Sequence, residues 1–386
     1  PASRPCRAPA STPNLRRGWR VCADASRLVG ANPRGCLRAC SLAVRSCLRS
    51  FIDEAGVPPA FIVGLSGGAD SLALALTVID VASRAGIEVV TLTVDHGLRA
   101  GSAHEARRVA DLAASLGARA LVETVRVDGR GGPEASARDA RLAALRSLAL
   151  HEGAPVLLGH TMDDQAETVL LRLARGSGPS SLRAIAPIRR DEDGVTWLRP
   201  LLGLRRADTA GACAQAALTP VEDPTNAIDG PWRAADGSAL RRSAVRHSAI
   251  PALASALGVD PVPALARTAA LCAADDDALS EWTRGLLAVS CEASPLAEEG
   301  SLALVVSEVS GAPRAVRTRA LREVASRAGI RLLLGVHVDA LDDLIVAWRG
   351  QGPILLPGGR ATRVGRGTQA RILFEARSPE PTRDGG

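Results

Sequence analysis

Short apolar runs at residues 61–65, 88–94, 120–127 and 155–159 alternate with longer segments of helical period, roughly 70–84, 102–116, 133–152 and 163–175. A short apolar run bounded by turn residues reads as a buried strand, and a 3.6-residue period as an amphipathic helix. Their alternation predicts βαβ units and a mostly parallel sheet with helices on both faces. Residues 179–200 are broken by Pro and charge, and a helix is predicted at about 203–217. Beyond residue 240 the chain turns Ala/Leu-rich and helical, at about 240–257 and 261–290. A further mainly helical stretch runs to about 349, and strand-like runs near 353–357 and 371–375 follow. The pattern predicts a doubly wound α/β domain over 46–235 and a smaller, mainly helical domain over 236–386, with the boundary in the Pro/Gly-rich loop 223–240.

Composition narrows the chemistry. All 47 cationic Lys/Arg positions of the 386 are Arg, Tyr is absent, and Met162 is the sole Met. The missing residues have mostly A/T-rich codons, so a GC-rich genome accounts for the bias. It still excludes a Walker A loop and a Schiff-base lysine. Five Trp and three Phe are too few for a stacking sheet of the RNA-recognition kind. The net charge of +6 is uneven, because residues 1–50 hold ten Arg against Asp24 alone. The basic balance is therefore weak evidence for a nucleic-acid partner. Residues 1–45 read as a basic, disordered extension dispensable for activity, either an arm or upstream sequence added by a misplaced start. Five of the eight Cys, at 6, 22, 36, 40 and 47, fall in or beside it, and no CxxC supports a zinc ribbon or redox pair. Asp275, Asp276 and Asp277 read as a solvated helix face. With no signal-like opening and no run of 18 apolar residues, the chain reads as cytoplasmic, with no membrane partner.

In a doubly wound sheet, ligands bind beyond the carboxyl ends of the strands. After the first strand come Ser66, Gly67, Gly68, Ala69, Asp70 and Ser71, entering a helix. Two glycines allow a sharp turn with converging N–H groups, and the helix N-terminus adds positive potential, which makes an anion cradle. The serines can donate hydroxyl bonds, and Asp70 can hold a phosphate-bridging metal. After the second strand, Asp95 could accept from a nucleotide, with His96 beside it and Gly97 allowing close approach. After the fourth, His160 precedes Asp163, Asp164 and Glu167, whose spacing puts the carboxylates on one helix face. Acid at a helix N-terminus suits the dipole. Three carboxylates beside a phosphate loop are nevertheless costly unless they bind Mg²⁺ or a cationic substrate group.

The SGGADS loop resembles that of the PP-loop, or N-type, ATP pyrophosphatases, which cleave ATP between the α- and β-phosphates to adenylate a substrate oxygen. SGGADS, VDHGLRAGSAHEA and GHTMDDQAETVLLRLARGSG, in that order, resemble the tRNA(Ile)-lysidine synthetase family. Further matches are Glu134 to Arg141, Arg199 to Leu202, Glu222 to Asn226, and Arg242 to His247. The later part resembles the short form without the extra carboxy-terminal domain. The resemblance implies adenylation of C2 of the wobble cytidine (position 34) in a CAU-bearing isoleucine tRNA, and attack by free L-lysine. The lysidine formed switches decoding from AUG to AUA. It implies ATP and Mg²⁺, with Ser66 to Ser71, Asp95 and His96 at ATP, and Asp70 and Asp164 on Mg²⁺. Asp163, Asp164 and Glu167 would position the metal or the lysine ammonium. Expected tRNA or substrate contacts are His160, Arg99, Arg138, Arg141, Arg172, Arg175, Arg205, Arg242 and Arg246, with Arg206, Arg241, Arg314, Arg317, Arg319 and Arg322 as further phosphate candidates. Some members are dimers, so a homodimer is also expected.

The chain departs from the family pattern at Thr161, Leu142 and Ser243, where the family often has His, Tyr and Asn, and by an apparent insertion at 233–239. The competing readings are another PP-loop enzyme, such as a tRNA thiolase or a small-molecule amide synthetase, and a non-catalytic nucleotide-binding module. Thiolases tend to carry paired Cys near the site, and a binding module would have lost the acidic residues.

Overall fold

A computed structural model of the chain describes residues 24–97, 101–125, 133–176, 178–221, 240–293 and 301–377. Arg99, the Glu222 to Asn226 motif and the insertion at 233–239 lie outside them. Two compact units emerge: residues 1–176 with 184–269, and residues 177–183 with 270–386. The boundary expected at 235/236 thus falls later, and a short segment inside the α/β sequence belongs to the second unit.

The first unit opens with α1 (Asp24–Val29) and α2 (Gly35–Ala55). Then β1 (Ala60–Gly64), α3 (Ala69–Arg84), β2 (Glu88–Asp95), α4 (Ser102–Ser115), β3 (Arg119–Thr124), α5 (Pro133–Glu152), β4 (Val156–Leu157) and α6 (Met162–Leu173) match the predicted alternation. The second unit's α7 (Pro179–Leu182) intervenes, followed by β5 (Ile188–Arg190), β6 (Thr196–Leu198) and α8 (Arg206–Gln215). The unit ends with α9 (Arg241–Ala244), a π-helical turn at Val245–Ala249, α10 (Ile250–Leu257) and the start of α11 (Val262–Ser290). The sheet order is β3-β2-β1-β4-β6-β5, parallel except for the β5–β6 pair. Alternate residues of β1 serve opposite layers. Phe61 and Val63 join a core with α1, α2, α3 and α8, while Ala60 and Ile62 pack with Leu145, Val156 and Trp197. Because strands are added to opposite sides of β1, the order reverses between β1 and β4. The crevice at such a switch point is the expected ligand site.

Residues 24–45 belong to this fold, which corrects the expectation of a disordered extension reaching residue 45. Leu37, Cys40, Val44, Leu48 and Phe51 of α2 are buried in the core shared with α3 and α8. Ser26 of α1 donates to the buried Asp80 of α3 at 2.9 Å, and Arg84 donates to the same carboxylate at 2.8 Å. The many Arg residues of α2 hid a helix whose apolar face is complete. Cys36 and Cys40 do share that helix, and both are free thiols. Each buried Leu or Val contributes roughly 1.5–3 kcal/mol. Truncation at residue 45 is therefore expected to give a protein that melts far below the full chain or aggregates. An unchanged melting curve would show that α1 and the first half of α2 are dispensable.

The second unit continues from α11 into β7 (Cys291–Ala293), β8 (Leu302–Val305), α12 (Val306–Ser310), α13 (Arg314–Arg327), α14 (Gly335–Val346), β9 (Ile354–Leu356), β10 (Gly359–Val364) and β11 (Arg371–Ala376). Its strands form an antiparallel sheet in the order β7-β8-β11-β10-β9. The unit is therefore α+β rather than mainly helical. Its core gathers Leu304, Leu321, Val324, Leu341, Leu344, Ile372 and Phe374 between sheet and helices. Asp276 is not solvated: it is 5% exposed and accepts from Ser180 at 2.5 Å, Arg183 at 2.8 Å and Arg319 at 2.6 Å. This network explains why residues 177–183 join the second unit. No single described helix is long and apolar enough to cross a membrane.

Candidate active site

The loop after β1 is held by its own serines. The Ser66 N–H donates to Ser71 Oγ at 3.2 Å, and Ser71 Oγ donates to the Gly68 carbonyl at 2.9 Å. Gly67 has φ +84°, and a Cβ there would come within 2.7 Å of Val109 and 3.1 Å of Val221. Its carbonyl accepts the Val221 N–H at 2.9 Å. Gly159, just past β4, is needed for a different reason: a Cβ on it would lie 2.8 Å from the Asp70 carbonyl oxygen. The end of β4 can therefore lie against the first turn of α3. The loop runs into the N-terminus of α3 at Ala69, where the sequence places an anion cradle.

Four carboxylates meet beside this loop, and four guanidinium groups answer them. Asp70, on the first turn of α3, accepts a hydrogen bond from Thr209 and lies 3.5 Å from Arg206 Nε. Burial pushes the Asp70 carboxyl above its usual range, with Thr209 and Arg206 working against the shift. Asp163 takes Arg205 Nη2 on Oδ1 and Arg205 Nε on Oδ2, both at 3.1 Å, plus the Arg206 N–H at 2.8 Å. Arg205 also pairs with Asp260. Asp164 Oδ2 accepts the Thr161 N–H at 2.8 Å and the Thr161 hydroxyl at 3.0 Å, while Oδ1 faces Arg206 at 3.2 Å. Burial works against this carboxylate, but Arg206 and the Thr161 N–H outweigh it and hold its pKa below the ordinary value. Glu167 is 0% exposed and receives Arg206 at 3.3 Å, Arg246 at 2.7 Å and Arg242 at 3.3 Å.

A second face of the crevice is cationic. His160 Nδ1, Arg141 Nε and Arg199 Nε are buried and find no hydrogen-bond partner among the described residues. Burial, reinforced by Arg138 and Arg242, pushes Arg141 down to about 10. Burial, then Arg189 and Arg138, does the same to Arg199. Burial pushes His160 from 6.5 down to about 3 against the pull of Asp164, so the imidazole is neutral at pH 7. The unfolded chain takes a proton at His160 that the folded chain refuses between these values, so stability falls as pH drops through that window. The urea midpoint is expected to decline from pH 6.5 toward about 4.5, above the ordinary carboxylate range. His160→Gln should flatten that decline. An equal slope in both proteins would place the titration elsewhere.

Comparison with known proteins decides among the readings of the crevice. A family model described as a PP-loop domain matches residues 43–253, and one described as the TilS substrate binding domain matches residues 304–368. The tRNA(Ile)-lysidine synthase of Thermobifida fusca is 44% identical over 337 residues, covering 86% of this chain and 97% of that protein. That of Leifsonia xyli is 45% identical over 304 residues, covering 78% and 86%. That of Salinispora tropica is 46% identical over 323 residues, covering 82% and 92%. The chain belongs to the tRNA(Ile)-lysidine synthase family. Among solved structures, the U34-tRNA thiolase NcsA from Methanococcus maripaludis matches with TM-score 0.48 and 16% identity, over 61% of this chain and 77% of that one.

Within this lysidine synthase fold, many of the residues expected at tRNA have partners inside the protein. Arg205, Arg242 and Arg246, expected at tRNA phosphates, are committed to Asp163 and Glu167 inside the crevice. Arg172 donates to the Ala184 carbonyl at 3.1 Å, an internal bond at the end of α6. Arg314, Arg317 and Arg319 pair with Asp339, Asp342 and Asp276, and Arg322 donates to the Leu333 carbonyl. Arg175 stays exposed after α6. Asp95, buried at the end of β2, accepts the Gly97 N–H at 2.9 Å, so it shapes the turn around His96. Thr161, where the family often has His, is the residue that orients Asp164. Two residues of the crevice went unassigned from sequence: Thr209, and Arg206 in this role. The available signal was their i,i+3 spacing at the start of a helix, which turns both toward Asp70.

Proposed function

We propose that the chain ligates free L-lysine to C2 of the wobble cytidine of a CAU-bearing isoleucine tRNA, with ATP cleaved to AMP and pyrophosphate through an adenylated tRNA. The observation that carries the reading is the crevice between β1 and β4. There a phosphate cradle, Ser66 to Ser71, lies beside a carboxylate set, Asp70, Asp164 and Glu167. The reaction class fits the residues. Adenylation converts a poor leaving oxygen into AMP, so the protein has mainly to position groups and stabilise charge. The loop N–H groups and α3 would bind the ATP phosphates. His160, neutral, can hydrogen-bond the pyrimidine without adding charge, and Arg141 and Arg199 would receive tRNA phosphate on the cationic face. Asp164 and Glu167 would take the lysine ammonium. The donor set also suits Mg²⁺, since Asp70 and Asp164 lie beside the cradle and Mg²⁺ takes one or two carboxylates plus phosphates. Bound there, it would neutralise charge developing on the phosphates. We place this activity in the cytoplasm.

The test is incubation with ATP, Mg²⁺, radiolabelled lysine and unmodified CAU-bearing isoleucine tRNA. Label incorporated into tRNA, dependent on ATP, is expected. Pyrophosphate release without label on tRNA would point to another PP-loop chemistry, and no release under any condition would overturn the enzyme reading.

A further inference from the structure

Among the described residues, Arg206 is the one guanidinium in the crevice that reaches three carboxylates at once. It lies 3.5 Å from Asp70, 3.2 Å from Asp164 and 3.3 Å from Glu167. The other cations there are committed more narrowly. Arg205 forks onto both oxygens of Asp163 and also holds Asp260. Arg246 places Nε 2.7 Å from Glu167 Oε1 and Nη2 3.2 Å from Oε2. Arg242 reaches Glu167 and donates to Thr168 Oγ1 at 3.1 Å. Arg206 makes no such close fork, and its side chain, like those of Arg205, Arg242 and Arg246, keeps about a quarter to a third of its surface exposed, so it has a route to water.

The charge balance gives this arrangement a consequence. Asp70, Asp163, Asp164 and Glu167 face Arg205, Arg206, Arg242 and Arg246, so this side of the crevice is close to neutral as it stands, while Arg141 and Arg199 leave the other side cationic. Buried carboxylates need that compensation, because uncompensated charge in a poorly solvated place is costly. A further cation finds no unmatched carboxylate unless one guanidinium leaves. A lysine ammonium carries three N–H donors on one nitrogen, and the carboxylates spanned by Arg206 offer an acceptor for each.

We propose that Arg206 is a place-holding cation, standing where the ammonium of the incoming lysine is received, and that lysine binding exchanges one cation for the other. This rests on the lysine-ligating reading above. Arg206 then keeps the three carboxylates ionised and oriented in the free enzyme, and lysine must displace it. It is a positioning residue, and it lowers the apparent affinity for lysine by the fraction of time it occupies the pocket.

The experiment is steady-state kinetics of lysidine formation by full-length wild type, Arg206→Ala, Arg206→Gln and Arg206→Lys, with lysine and ATP varied separately. If Arg206 fills the pocket about nine-tenths of the time, removing it lowers the KM for lysine about tenfold. The KM for ATP should shift by a much smaller factor than that for lysine, since Arg206 also borders Asp70 and Asp164. The kcat falls as well, because the more negative pocket holds the ammonium protonated and the ground state deep. Arg206→Lys should keep the wild-type KM for lysine. Added guanidinium chloride, at millimolar levels too low to denature, should compete with lysine in Arg206→Ala but not in wild type. Arg206→Gln, which retains most of the stem, gives the same reading should the alanine variant fail to fold. A lysine KM that is unchanged or higher in both the Ala and Gln variants, or guanidinium that fails to compete, overturns the exchange. Absence of lysidine formation by wild type would instead overturn the functional reading itself.

Discussion

Asp70→Asn is expected to slow pyrophosphate release by about a hundred- to a thousandfold, the order lost when one preorganised source of charge stabilisation goes, because Asp70 would hold the Mg²⁺ that neutralises the phosphates. The substitution removes the charge and keeps the shape. Asn retains an oxygen that can accept from Thr209, so the contact between α3 and α8 survives. Asp70 is also three-quarters enclosed, with 25% of its side chain exposed, and the carboxyl is already pushed up by burial. Neutralising it therefore costs the fold little, and the thermal midpoint should stay within a few degrees of wild type. What is lost is the negative group that faces the cradle from the first turn of α3. Pyrophosphate release by a folded Asp70→Asn protein at near the wild-type rate would remove Asp70 from the site. A protein that unfolds would show instead that the charge is structural.

The first unit was largely legible because its strands and helices carry their own periodicity. Runs such as 61–65 and 89–94 are largely buried on both faces and mostly apolar, with Thr91 and Thr93 the polar exceptions, and the helices between them repeat at 3.6 residues. β8, Leu-Ala-Leu-Val, carries an apolar run but sits among helical segments, and two other strands carry no such signal. β5 is Ile-Arg-Arg and exposed, while β10 is Gly-Arg-Ala-Thr-Arg-Val, with one fully buried side chain. β10 is a strand because it pairs with β9 and β11, and pairing partners lie outside any local window. The same limit applied to charge. The acidic side of the crevice could be read from the spacing of Asp163, Asp164 and Glu167 on one helix. Its cationic complement could not, since Arg206, Arg242 and Arg246 come from two distant helical segments. Asp276 was misread for that reason: two of its three partners, Ser180 and Arg183, lie in a segment almost a hundred residues earlier. Side chains that look solvated in a window can be the ones that fix one segment to another.

Glu167→Ala is expected to destabilise the first unit strongly. Its carboxylate is fully buried and is the one acceptor shared by Arg206, Arg242 and Arg246. Removing one member of a buried charge network leaves the others desolvated and unpaired, which costs about 3–5 kcal/mol. At roughly 2–4 °C per kcal/mol for a unit of this size, the thermal midpoint should fall by about 10 °C. Activity should be lost along with it, because Arg206 would redistribute onto Asp70 and Asp164 and the ammonium would lose an acceptor. Stability and function can be separated with Glu167→Gln, which preserves volume and one acceptor oxygen. That variant should recover part of the lost melting temperature without recovering lysine incorporation. If Glu167→Ala melts like wild type, the guanidinium groups are solvated independently of Glu167, and the neutral-pocket arrangement is wrong. If Glu167→Gln incorporates lysine normally, its charge plays no part in receiving the ammonium, and that task falls to Asp70 and Asp164.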